Sequence, residues 1–108
     1  MLHIANIKEV VMQVLTPSTS RNAKQLGEHV RNWRKIHKLT QKNLAGRAKI
    51  TRQALAKIEQ GNPHARLDDI LSILEILGQE KKMLDSLDPL NDSVARLRWG
   101  MTEKERVR

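Results

Sequence analysis

The chain of 108 residues has no cysteine, phenylalanine or tyrosine. Without thiols there are no disulfides and no thiolate metal sites, so zinc fingers and zinc ribbons are excluded. Trp33 and Trp99 are the only aromatic residues. Modules that read single strands stack bases on aromatic platforms, and this chain has almost nothing from which to build one. No apolar run approaches the length of a membrane span, and the N-terminus lacks the charged segment and cleavage site of a secretory signal. The expectation is a soluble, cytoplasmic protein with no membrane partner. Signatures of catalysis are missing too: there is no glycine-rich phosphate loop and no nucleophile elbow. His3, His29, His37 and His64 do not share a helical face at metal-ligand spacing. Adjacent Asp68 and Asp69 diverge on a helix and suit a helix start better than an acid/base pair. The chain therefore reads as a non-enzyme with no cofactor and no metal.

What is abundant is positive charge, and its placement says more than its total of +8. Residues 21–60 carry eleven Lys and Arg against Glu28 and Glu59 alone. Residues 61–92 are net acidic, and residues 93–108 are basic again. A basic block concentrated mid-chain suits a polyanion, and the shortage of aromatics favours duplex DNA over single strands. The plainer reading of the same charge is a solvated helix face.

The periodicity is helical almost throughout, which predicts an all-α fold. Leu2, Ile4, Ile7, Val11, Val14 and Leu15 fit an amphipathic helix, although the β-branched residues also suit a strand. The run Thr16-Pro17-Ser18-Thr19-Ser20 reads as a break and linker. A helix over about 22–38 places Leu26, Val30, Trp33 and either Ile36 or His37 on one face. Another starts at Thr40 and runs to Ala48, and the next starts at Thr51 and ends at Gly61-Asn62-Pro63. A helix over about 66–77 directs Leu67, Ile70, Leu71, Leu74 and Leu77 inward, with Asp68 and Asp69 at the positive end of its dipole. Met83, Leu84, Leu87 and Leu90 suggest a further short helix. The last sixteen residues are compatible with helix, strand or tail. Residues 1–20 thus form an N-terminal extension, 21–80 the central domain, and 81–108 a C-terminal extension for dimer or partner contact.

Two short helices, each opened by a capping threonine and joined by a tight turn, define a helix-turn-helix. Its second helix enters the major groove while the first lies across the backbone. Leu44, Ala45, Ala48, Ile50, Leu55 and Ile58 supply the inward face, and Arg52, Gln53 and Lys57 lie opposite. Arginine can bond both acceptors of a guanine edge, and glutamine can bond an adenine edge in the same two-pronged way. Arg31, Lys35, Lys38, Lys42 and Arg47 are phosphate candidates as a group. Trp33 belongs in the core, and Trp99 is expected to pack on the domain.

These residues also carry a resemblance. Leu26-Gly27, Val30-Arg31 and Arg34, then Leu39-Thr40-Gln41, Leu44-Ala45, Ile50-Thr51 and Ile58-Glu59 with Gly61, resemble the Cro/C1-type (XRE) helix-turn-helix over about residues 24–78. The resemblance implies a five-helix, lambda repressor-like domain, here with N- and C-terminal extensions. It assigns Gln41 to a phosphate and places Thr51 near the backbone; Thr40, Lys42, Arg47 and Lys49, from their position and charge in this chain, are further backbone candidates. Arg34 and Glu59 become a structural ion pair, and Arg52, Gln53 and Lys57 the base-reading positions. One position departs from the pattern. The family usually has glycine at the turn, in left-handed conformation, where this chain has Lys49. A side chain there costs about 1 kcal/mol.

The segment from Glu59 through Gly61-Asn62-Pro63-His64-Ala65-Arg66-Leu67-Asp68 to Leu77-Gly78 is similar to HipB-like antitoxins. That similarity implies a repressor in the bacterial cytosol that autoregulates a type II toxin-antitoxin operon with a HipA-like kinase toxin. Reading a palindromic operator requires a homodimer, because one helix covers only a few base pairs. Ile4, Ile7 and Val11, or Met83, Leu84 and Leu87, are the apolar candidates for its interface. Two other readings share the fold: a stand-alone phage or plasmid repressor, and an adaptor that binds protein rather than DNA.

Overall fold

The computed structural model describes the backbone of residues 15–107 and the side chains of residues 15–100. The expectations for residues 2–14, including an interface at Ile4, Ile7 and Val11, lie outside the described residues. The elements are α1 (Pro17–Ile36), α2 (Gln41–Ala48), α3 (Arg52–Glu59), α4 (Leu67–Ile76), α5 (Glu80–Leu87), a 3-10 turn (Pro89–Asn91) and α6 (Ser93–Val107). Among the described residues the protein is all-α, and no helix is long and apolar enough to cross a membrane. Two compact units divide between Leu77 and Gly78.

The first helix begins earlier than its sequence suggests. Pro17 opens α1 rather than breaking the chain, and the Thr16 hydroxyl accepts from the Thr19 amide at 3.1 Å. Proline is well suited to a first helical position, where its missing N–H has no partner to lose. The four residues read as linker after Thr16 therefore form the first turn of a helix.

The core of the first unit is built from Val30, Leu44, Ala45, Ala48, Leu55, Ile58, Ile73 and Leu77, with Trp33, Leu39, Ile50 and Ile70 packed around it. Each fully buried Leu or Ile contributes roughly 1.5–3 kcal/mol. Four helices share this core, so α2 and α3 are fixed by α1 and α4 as well as by each other. At the far end of α1, His37 Nε2 lies 3.1 Å from the Leu77 carbonyl oxygen and closes the unit.

Periodicity overstated the width of the apolar stripes. Leu67 and Leu71 of α4, expected inward, are 70% and 38% exposed, and Leu26 of α1 is 40% exposed. Leu67 is the first residue of α4 and has no preceding turn to hold it against the core. The other two lie at the margin of stripes whose centres alone meet a neighbouring helix. Of the alternatives at the end of α1, Ile36 is 64% exposed, while the His37 ring reaches Leu77.

Gly27 has a steric function that the helical pattern does not reveal. A Cβ there would collide with the Ile58 carbonyl oxygen and approach the Glu59 carbonyl oxygen to 2.8 Å. The absence of a side chain lets α1 touch the last turn of α3.

In the second unit, Asp88 caps the 3-10 turn by accepting from the Leu90 amide at 3.0 Å. Asp92 does the same for α6, accepting from the Ala95 amide at 2.8 Å. The residues left open between helix, strand and tail thus form a capped helix. Trp99, expected to pack, is 42% exposed.

Replacing Gly27 by alanine should destabilise the protein by about 2–3 kcal/mol, because backbone rather than a mobile side chain blocks the new methyl. Urea denaturation measures the loss. An unchanged midpoint would show that α1 and α3 separate without penalty.

Candidate nucleic-acid interface

Both helices of the motif start in the same way. The Thr40 hydroxyl accepts from the Asn43 amide and the Thr51 hydroxyl from the Ala54 amide, each at 3.0 Å. Each bond satisfies one of the orphan donors at a helix start. Between the helices the chain reverses at Lys49, which adopts φ 59 and ψ 41. The Ile50 amide then donates to the Ala45 carbonyl at 3.0 Å, and Ile50 packs on the core. This is the bond that defines a Schellman turn, normally built around glycine. Lys38 performs the same reversal at the end of α1 with φ 57, and the Leu39 amide donates to the Arg34 carbonyl at 3.0 Å. The hydrophobic residue that follows each lysine offsets the strain by entering the core.

This framework turns α3 so that Leu55, Ile58 and Glu59 are buried while Arg52, Gln53 and Lys57 are exposed. The expected base-reading residues therefore share the outward side of one helix. Gln53 and Lys57 also line a shallow depression of about 280 Å³ together with Thr51, Asn62, His64, Arg66 and Asp69. His64 and Arg66 were not singled out as site residues from the sequence. The turn at Gly61, with φ 96, brings them alongside α3. Turn signals predict that the chain reverses, but they do not say which side chains land beside which. The Arg66 guanidinium is held by Asp68, with contacts of 2.9 and 3.1 Å.

The backbone candidates separate into two places. Thr40, Lys42 and Thr51 are exposed at or near the two helix starts. Arg47 and Lys49 instead line a different depression, of about 240 Å³, with Ser72, Glu75 and Ile76 of α4. Lys42 and Arg47 are five positions apart on α2, which places them about 140° apart around the helix axis.

Beneath the exposed face lies a buried polar knot. Glu59 has 4% of its side chain exposed and Arg34 has 12%. Arg34 Nε donates to Glu59 Oε2 at 2.8 Å and Nη2 donates to Oε1 at 3.0 Å, a two-pronged pair. A further donor, Nη1, reaches the Leu39 carbonyl oxygen at 2.9 Å. The hydrogen bond to Glu59 raises the pKa of Arg34 above its ordinary value; desolvation by burial opposes it, and the charge of Glu59 adds a smaller upward push. Gln41, which the family resemblance directs to a phosphate, donates from Nε2 to Glu59 Oε1 at 3.2 Å and is half-buried. Its amide carries a second N–H, so one side chain has a donor for the knot and another left to offer.

With this geometry the chain belongs to a helix-turn-helix domain family, whose profile matches residues 25–87, more than half of the chain. It is a family of DNA-binding regulators, and the matched segment spans the core helices of the first unit together with α5. No curated protein and no solved structure matches the chain.

Replacing Arg34 by alanine should cost about 3–5 kcal/mol, since it leaves a buried carboxylate without its charge partner. Glu59→Ala should cost less, because Arg34 has more solvent access and keeps its bond to Leu39. Chemical denaturation of both variants tests this order. Losses of about 1 kcal/mol or less in both variants would mean that the pair behaves as an ordinary surface contact.

Proposed function

We propose that this protein is a sequence-specific transcriptional repressor that binds double-stranded DNA as a homodimer on a palindromic operator. The observation that carries the reading is the outward side of α3, where Arg52, Gln53 and Lys57 are all exposed on a helix anchored from below by Arg34 and Glu59. Side chains that read base edges must be presented rigidly, since both bonds of a bidentate contact depend on the angle of the helix in the groove. Arg52 suits a guanine edge and Gln53 an adenine edge. Thr40, Gln41, Lys42 and Thr51 flank them as backbone contacts. Gln41 serves two ends, one amide hydrogen holding Glu59 and the other directed to a phosphate. Arg47 and Lys49 contribute at the side of the motif nearer α4.

The wider setting rests on the similarity of residues 59–78 to HipB-like antitoxins. On that reading the protein represses its own operon and binds a HipA-like kinase toxin encoded beside it, in the cytosol. Co-purification of the chain with the product of its neighbouring gene tests the toxin partnership. A chain that purifies alone but represses specifically is a stand-alone repressor.

DNA recognition is tested by fluorescence anisotropy with the duplex upstream of the gene against a scrambled duplex, over a salt series. The native duplex should be preferred by about a thousandfold or more. Arg52→Ala or Gln53→Ala should weaken binding by about 1–3 kcal/mol and relax preference at one base pair. Lys42→Ala should weaken all sequences alike and lower the salt slope by about one. Equal binding to both duplexes, lost with salt, would overturn sequence recognition and favour an adaptor that binds protein.

A further inference from the structure

The second unit has an unusual surface for its size. Among residues 78–100 no side chain is fully buried. Leu84, Leu87, Leu90, Val94 and Leu97 are between 53% and 72% exposed. An eight-residue helix such as α5 is marginal in water unless it packs on something, so these helices lack the burial that usually holds such elements together. Leu87, Val94 and Ala95 line a groove of about 540 Å³ between the end of α5 and the start of α6, together with Ser86, Asp88, Asp92 and Arg98.

We infer that this unit is the dimerisation element and that its groove receives the aliphatic side chains of a second copy of the chain. The inference rests on the dimer required by the repressor reading and names the surface that forms it. Three observations select a second copy over other occupants. The unit presents both halves of a contact: a groove lined by Leu87 and Val94, and exposed leucines of a size to enter one. A two-fold axis needs such self-complementarity. The groove's lining carries both signs of charge, with Asp88, Asp92 and Arg98, so its field does not select a strongly acidic or strongly basic partner over a second copy. Residues 78–108 hold seven basic and six acidic side chains, whereas residues 1–77 hold thirteen and six, so an acidic partner would be drawn to the first unit instead. The area reaches the floor for a specific interface: the five aliphatic residues, doubled across an axis, supply on the order of 1,000 Å² of apolar surface, to which the polar surface around them adds.

The test is sedimentation of the full chain without DNA, beside Leu87→Asp, Leu97→Asp and Leu67→Asp. The wild type should sediment as a dimer. Leu87→Asp and Leu97→Asp should each weaken dimerisation about tenfold or more, equivalent to about 1.4 kcal/mol, with circular dichroism unchanged. Leu67→Asp alters an exposed leucine of the first unit, at a helix start that tolerates acid, and should leave the dimer intact. Hydrogen exchange of the wild type gives a second readout without substitution: amides of residues 84–97 should become more protected as concentration rises through the dimer transition. A wild type that stays monomeric, variants at Leu87 and Leu97 that dimerise normally, or loss of the dimer only in Leu67→Asp would each overturn the inference. The two proposals fail separately. A dimer lost on substitution of Leu87 but indifferent to DNA sequence retains the interface and removes the repressor. A dimer unaffected by those substitutions that still prefers its operator does the reverse.

Discussion

The carboxylate of Glu59 sits where water scarcely reaches, and the orientation of the candidate reading helix depends on what surrounds it. Removing a carboxylate from water costs several kcal/mol, and the cost is offset only when opposite charge and hydrogen bonds replace the lost hydration. Here the guanidinium of Arg34 and the amide of Gln41 supply three donors to its two oxygens. Those donors come from α1 and from the start of α2, so three helices meet at one anion. Arg34 extends the connection to the Leu39 carbonyl in the turn before the motif. The pair therefore acts as a fastener for geometry more than as a source of net stability, because apolar groups of similar volume would hold a core equally well. Its value is directional: bidentate bonds fix an angle, which hydrophobic contacts leave looser.

Steric fit completes the constraint. Gly27 allows the backbone of α1 to meet the last turn of α3 beside the Ile58 and Glu59 carbonyls. The paired threonine caps start both motif helices at defined residues, and the reversal at Lys49 sets the angle between them. Lysine in a left-handed conformation is strained, yet the turn is held by the Ile50 amide and by burial of the Ile50 side chain. A domain with this much apolar packing absorbs about 1 kcal/mol at one residue. The solvent-facing side of α3 is then free to be selected for what it contacts, since none of its exposed residues is needed by the core.

The two units illustrate different relations between sequence pattern and burial. In the first, an aliphatic stripe at helical spacing finds neighbouring helices and is covered. In the second, the same kind of stripe, with Leu84, Leu87 and Leu90, remains in contact with solvent. Periodicity registers amphipathic character in both cases, because it reports which residues share a face. It carries no information on what that face meets.

Much of the first unit was legible in the sequence for local physical reasons. Thr40 and Thr51 mark helix starts because a hydroxyl can satisfy a free amide. Gly61 and Gly78 mark helix ends because only glycine adopts their positive φ without strain. The spacing of Leu44, Leu55, Ile58 and Leu77 identifies core positions because the helical repeat is fixed. Other features depended on distances between segments. Pro17 reads equally well as a breaker and as a first helical residue, and only the bond from the Thr19 amide to Thr16 decides between them. The width of the buried stripe excluded Leu67 and Leu71 because packing, not polarity, determined which residues were covered. His64 and Arg66 came to lie beside Gln53 and Lys57, Arg47 and Lys49 lay against α4, and Gln41 met Glu59. Chain reversals place such residues together across many positions, and local sequence does not encode where two segments will meet. The sequence by itself determined the helices, their caps and the charge of the candidate reading face. The tertiary structure decided which of those side chains share a surface and what holds that surface at its angle.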